Sequence, residues 1–185
     1  YLKYSKLAKA IYCDYTNQVE PYGMDECWLD ISGTKKLFGS PVDVANEIRE
    51  RIKFELGLTI SVGVSFNKIF AKLGSDFKKP DAVTVVEKET FREKIWGLPA
   101  SDLLGVGRAT TRILNNYCIR TIGDLANADY DFIKRILGKN GVSLWLYANG
   151  KDTSTVKDIK FVSPVKSIGH GITTVVDLSN EAEVW

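Results

Sequence analysis

Two carboxylates, Asp25 and Glu26, stand side by side in PYGMDECWLD, a stretch otherwise rich in apolar and aromatic residues. A pair of acids at a solvated turn does no chemistry. Their neighbours Met24, Cys27, Trp28, Leu29 and Ile31 favour burial, however, and that places the acids close to the core. A buried carboxylate is costly unless it is paired or bound to a cation, and adjacent carboxylates repel each other until a divalent ion joins them. All-oxygen donors suit Mg²⁺ rather than zinc. Neighbours in a regular strand point to opposite faces, so both acids reach one cation only where the chain turns. Gly23 permits such a turn. Asp30 shares the face of Glu26 in a regular strand, as a third acid or as a strand-end charge.

The stretch NKIFAKLGSDFKKP adds the opposite charge. Lys68 and Lys72 are one helical turn apart, and Asp76 continues their face. Ile69, Leu73 and Phe77 form a separate apolar stripe with Phe70 beside it. The lysines make either a solvated amphipathic face or an anion surface. In the second case the helix N-terminus after Ser65-Phe66-Asn67 and the basic corner Lys78-Lys79-Pro80 fit a triphosphate or a DNA backbone. A third stretch, LLGVGRATT, places Gly105, Val106, Gly107, Arg108 and Thr110 at a glycine turn that opens a helix. Glycines allow close backbone approach and the helix start offers free N–H groups, which suits phosphate. An ordinary cap between two helices fits the same residues. With IRTIGDL following, the pattern resembles a helix-hairpin-helix, which holds DNA phosphates without reading sequence.

These residues need elements to position them. The spacing of Leu2, Leu7, Ala8, Ile11 and Tyr12 predicts a helix within residues 1–16. Residues 19–31 read as extended and SGTKKLFGS as a loop. Ser40 caps a helix with Pro41 at its first position, carried by Val44, Ile48, Ile52 and Leu56 and ended at Gly57. Residues 58–65 read as a strand. Asn67 caps a helix over about 68–78, which stops before Pro80. Residues 82–86 form a strand without alternation, as expected for burial on both faces. Past residue 96 strands give way to short helices joined by glycine turns. GKDTSTVKDIK reads as a linker, and SPVKSIGHGITTVV as an extended start of a further unit.

Composition narrows the classes without choosing among them. The 185 residues are 44% hydrophobic and 26% charged, ordinary for a folded chain. A net charge of +2 does not by itself mark a nucleic-acid binder. Cys13, Cys27 and Cys118 are far apart with no CxxC, which counts against zinc and a disulfide framework and fits a reduced cytosolic protein. The single histidine, His170, gives little support to a histidine triad or metal site. The sequence holds neither an apolar run long enough to span a membrane nor a secretory leader at its start.

Taken together and in order, GMDECWLDISG, SVGVSFNKIFAKLGSDFKKPD, LLGVGRAT and VKSIGHGIT resemble the Y-family, DinB-like (UmuC-like) translesion DNA polymerases over essentially the whole chain. The second motif is long and specific; the others are weak alone. The resemblance implies an α/β (α+β) partial palm over 1–96 and a small all-α helix-hairpin-helix thumb over 97–150. A linker over 151–163 and the start of a β-containing little finger over 164–185 would follow. It implies two-metal nucleotidyl transfer, with two Mg²⁺ ions about 3.5–4 Å apart. Asp25 would then be a metal ligand and Glu26 a catalytic acid at the same metals. Lys79 would contact the incoming triphosphate, Lys72 would support nucleotide binding, Gly105–Arg108 and Thr110 would meet the primer–template backbone, and Lys166 and Ser167 would lead into DNA contacts. Deoxynucleoside triphosphates and primer–template DNA would be the partners, with a sliding clamp engaged through a C-terminal peptide beyond this sequence, in the bacterial cytosol.

Gly23 stands where the family usually has Ser, and KPDA replaces K-P-N-G. A D-x-D-x-F-F strand with a further metal-binding Asp, and the fingers after it, are not among these residues. The chain is therefore expected to be a middle piece that does not polymerise alone. Two other functions fit the residues taken by themselves. One is a non-catalytic DNA-binding repair module built on the glycine turn. The other is a palm-type nucleotidyl cyclase, against which the Gly-Val-Gly region counts.

Overall fold

The computed structural model describes residues 1–162 and 164–184, without the side chains of 183 and 184. The end of the predicted linker at residue 163 and of the last predicted unit at residue 185 lie outside the described residues.

The chain mixes helices with two small sheets. Helix α1 (Leu2–Cys13) leads into an antiparallel hairpin of β1 (Val19–Tyr22) and β2 (Glu26–Leu29), in which Glu20 faces Trp28 and Tyr22 faces Glu26. The predicted loop at 32–40 contains a one-turn helix, α2 (Lys35–Phe38). Helix α3 (Pro41–Leu56) starts as its sequence dictates. Ser40 Oγ accepts the Asp43 N–H, the Asp43 carboxylate accepts the Ser40 N–H, and Gly57 closes the C-terminus. Strand β3 (Val62–Ser65), helix α4 (Lys68–Phe77) and strand β4 (Val83–Val86) follow, with β3 and β4 parallel and in register from Val62↔Val83 to Ser65↔Val86. The strand expected over 58–65 is only its last four residues. Asn67 caps α4 as expected, its side chain accepting the Phe70 N–H at 2.8 Å.

Helices α5 (Phe91–Ile95), α6 (Arg108–Asn116), α7 (Ile122–Asn127) and α8 (Tyr130–Ala148) form the second half, with a short 3₁₀ turn at Ala100–Asp102. A last helical turn, α9 (Glu181–Val184), lies far beyond them in sequence. No strand occurs among the described residues of 164–184, where an extended β-containing start was expected; Val165, Ile168, Ile172 and Val175 are exposed there instead.

Two apolar cores hold the elements. One joins Ile11 and Tyr12 of α1, and Tyr15 just after it, to Val19 and to Val44, Ile48 and Ile52 of α3. The other is continuous across residue 97, running from Ile69, Phe70 and Leu73 of α4 and Val86 of β4 to Leu114, Ile122, Leu125, Ile133 and Leu144. Helix α4 rests directly on β3 because Gly63 has no side chain. A Cβ there would sit 1.8 Å from the Ala71 carbonyl oxygen.

Candidate nucleotide and metal site

The turn Gly23-Met24-Asp25 joins the hairpin strands, with Gly23 at φ +71°. It is held from below by Ser5, whose hydroxyl donates to the Met24 carbonyl. The sequence pattern placed the acids near the core; the hairpin puts them at its tip instead. Asp25 is exposed and the Glu26 side chain keeps 38% of its surface in solvent. The apolar neighbours mislead because the hairpin buries one side only. Trp28 leans on Lys68, while Met24 stays 47% exposed.

The lysine face of α4 is turned towards the hairpin. Lys68 Nζ lies 2.8 Å from Glu20, with 12% and 15% of the two side chains exposed. The same ammonium sits 4.4 Å from the centre of the Trp28 ring, and the Trp28 indole N–H donates to the Lys68 carbonyl at 2.9 Å. Burial would raise the Glu20 carboxyl. The Lys68 ammonium and the backbone N–H of Lys157 outweigh it and hold the group below its ordinary value. Lys68 is thus spent on joining α4 to the hairpin, and it is withdrawn from any anion.

One turn further along α4, Lys72 Nζ lies 3.0 Å from Glu26 Oε1 and 2.8 Å from Asp76 Oδ2. Lys79 Nζ lies 2.7 Å from Asp76 Oδ1. Each oxygen of Asp76 therefore takes one lysine. Burial works to lower the Lys72 ammonium, but Asp76 and Glu26 together hold it above its ordinary value. Burial likewise works to raise Asp76, and the two lysines hold it down. The sequence brought Lys72 and Asp76 together by helical spacing; only the fold adds Glu26 and Lys79.

Asp25 and Glu26 offer two hard oxygen donors at an exposed turn. That donor set fits Mg²⁺, which keeps several waters and is held by one or two carboxylates together with substrate phosphates. Among the described residues no group of three or more His, Cys, Asp or Glu side chains converges as metal ligands. Asp30 is elsewhere engaged, its Oδ1 accepting the Ser32 N–H at 2.9 Å. Burial pushes the Cys27 thiol up to about 11, so it is a poor thiolate donor at neutral pH.

The glycine turn lies on the other half of the molecule. Gly105 has φ +93°, Gly107 caps α6, and Arg108 is its first residue. Val106 belongs to the apolar core and its N–H donates to the Leu103 carbonyl at 3.0 Å, so it anchors the loop and has no donor left to offer. Gly107, Arg108, Thr111 and Arg112 line an open cavity of about 630 Å³ with Ser101, Asn115 and Asn116. Thr110 is half-buried beside it. Lys166 and Ser167 are exposed in the irregular segment and join neither site.

Sequence reasoning missed three participants. Glu20 becomes visible only through the hairpin register that sets it across from Trp28. Asp76 was seen as part of a lysine face and not as the acceptor of two lysines. The predicted linker also returns to the hairpin. Ile159 N–H donates to the Asn17 carbonyl at 3.0 Å, and Asn17 Nδ2 donates to Asp158 at 2.6 Å. Among the described residues no helix is long and apolar enough to cross a membrane.

Residues 1–76 match the impB/mucB/samB family. A curated DNA polymerase IV from Acetivibrio thermocellus is 57% identical over 184 residues, which is 100% of this chain and 46% of that protein. A solved Y-family DNA polymerase chimera superposes with a TM-score of 0.77 at 25% identity, over 84% of this chain and 46% of the other. An insertion ternary complex of Dbh DNA polymerase gives a TM-score of 0.76 at 25% identity, over 84% and 46%. The chain spans about half the length of the curated relatives it matches.

Proposed function

We propose that the chain belongs to the impB/mucB/samB family and that, within a protein of its relatives' length, it serves template-directed DNA synthesis past damaged bases. The observation that carries this reading is the hairpin tip. It sets Glu26, next to the exposed Asp25, 3.0 Å from Lys72 of α4, and Asp76 links Lys72 to Lys79, so carboxylates for a cation and ammonium groups for a polyphosphate lie along one surface.

In this reading residues 1–96 are palm, 97–150 a helix-hairpin-helix thumb, 151–163 a linker and 164–185 the beginning of a little finger. Asp25 and Glu26 would hold Mg²⁺, and a metal bound there would supply charge stabilisation for the attacking 3′-oxygen and the leaving pyrophosphate. Lys79, 58% exposed at its side chain, is free to swing from Asp76 to a triphosphate. Lys72 screens the repulsion between Glu26 and incoming phosphate. The N-terminus of α6, with Gly105, Gly107, Arg108 and Thr110, takes backbone phosphates of primer–template DNA, and Lys166 and Ser167 add contacts beyond it. Deoxynucleoside triphosphates and primer–template DNA are the substrates in this reading.

The experiment is primer extension with Mg²⁺ by a protein of the relatives' full length carrying this sequence. Asp25→Ala and Glu26→Ala each abolish extension while leaving DNA binding in place. Extension at the wild-type rate by either variant would sink the assignment of the acids.

A further inference from the structure

The site contains a chain of charges that goes beyond its list of ligands. Lys79, Asp76, Lys72 and Glu26 alternate in sign, and successive contacts are 2.7, 2.8 and 3.0 Å. Asp76 is the only member with two lysines, one on each carboxylate oxygen. Lys72 is the only member with two acids. The four side chains keep between 19% and 58% of their surface exposed, so each pair is weak enough to break and remake.

We propose that Asp76 is a positioning residue that couples the triphosphate lysine to the metal acid. This rests on the polymerase reading above and deepens it. While Lys79 sits on Asp76, the carboxylate is shared and holds Lys72 loosely, and Lys72 leans on Glu26 as a stand-in cation. When Lys79 leaves for a polyphosphate, Asp76 has one lysine to hold. Lys72 shifts its weight to Asp76, and Glu26 is released to a divalent ion. No proton moves and no bond is made. The coupling is a change of partner along one helix face, made possible by Lys72 and Asp76 standing one turn apart on α4 with the hairpin tip beside them.

The alternative is that Asp76 matters only through its general negative field. A double-mutant cycle separates the two, because a relay requires Lys72 and a field does not. The readout is Mn²⁺ affinity, measured from the resonance of free Mn²⁺ without nucleotide or DNA, on a protein of the relatives' full length. Lys72→Met tightens Mn²⁺ by about two- to fivefold, the worth of a partly exposed ion pair. Asp76→Asn weakens it by a similar factor, because Lys72 is left with Glu26 alone. In the Lys72→Met background Asp76→Asn changes nothing. Lys72→Arg keeps wild-type affinity, and in a Glu26→Gln background Lys72→Met has no effect.

Equal weakening by Asp76→Asn in both backgrounds would overturn the relay and leave a simple field. Unchanged or weaker binding in Lys72→Met would overturn it as well. Absence of saturable Mn²⁺ binding in the unsubstituted protein would instead refute the metal reading on which the relay rests.

Discussion

Replacing Gly63 with alanine tests the seat of the whole lysine face. The added Cβ would lie 1.8 Å from the Ala71 carbonyl oxygen and 2.7 Å from the Ser75 nitrogen, both backbone atoms of α4. Non-bonded carbon atoms rest at about 3.5–4.0 Å, so the helix must back away by roughly 2 Å. A gap of about half that size already forfeits a quarter to a half of each contact, here those of Ile69, Phe70 and Leu73. Overpacking of this kind costs about 1–3 kcal/mol, and the rigid backbone partners place Gly63→Ala at about 3 kcal/mol. For a chain of this length that lowers the melting temperature by roughly 6–12 °C.

Gly74 provides the control, since it faces Gly63 from the helix side. A Cβ at Gly74 meets its nearest atom, Gly63 Cα, at 3.4 Å, and Val86 Cγ2 at 3.5 Å. Those are ordinary contacts, and alanine is favoured over glycine inside a helix by about 1 kcal/mol. Gly74→Ala is therefore neutral or slightly stabilising. Urea unfolding followed by circular dichroism measures both. A Gly63→Ala change within about 0.5 kcal/mol of wild type, the scale of an unremarkable surface substitution, or equal effects at the two glycines, would refute the claim that α4 is seated by backbone contact.

Three further outcomes are expected. Lys68→Met strands the largely buried Glu20 carboxylate and destabilises the fold by about 2 kcal/mol or more in urea unfolding, whereas Lys68→Met combined with Glu20→Leu recovers most of it; an additive double mutant would contradict this pairing. Glu20, Asp76, Asp81 and Asp124 all have carboxyl groups held below their ordinary values in the fold. The unfolded chain thus binds more protons, so their stabilisation is complete above the ordinary carboxylate range and is lost as pH falls through the folded values. The melting temperature therefore drops as pH falls below about 5, less steeply in Glu20→Gln, and a flat profile on acidification through pH ~4 would contradict it. Arg108→Glu at the start of α6 weakens DNA binding across all sequences and lowers the slope of log affinity against log salt by about 1 or more, read from titrations at several salt concentrations. Unchanged binding would remove that loop from the DNA surface.

Much of this molecule is legible along the chain because its signals are local. Ser40, Pro41 and Gly57 bound α3 within the sequence itself, and Asn67 starts α4 by reaching three residues ahead. Lys72 and Asp76 meet because a helix brings every fourth residue round. The order of acids, lysine helix and glycine turn, and with it the family resemblance, is likewise a property of the string.

What the string does not carry is which long-range partner meets each of these elements. The apolar neighbours of Asp25 and Glu26 argued for burial, and the hairpin exposes the acids because a two-stranded sheet covers one face alone. Lys68 and Lys72 look equivalent on the helix. One is locked by Glu20 and Trp28, and the other is left to bridge Glu26 and Asp76, because hairpin register sets which acid meets which turn of α4. Val106 looks like part of a phosphate loop, and only the fold shows that its side chain also packs into the core. Helix caps and i,i+4 helical pairs form between near neighbours and so are written in sequence. Ion pairs across elements depend on how two surfaces meet, and that is fixed by Gly63 letting α4 down onto β3 and by the turn that brings the hairpin over it.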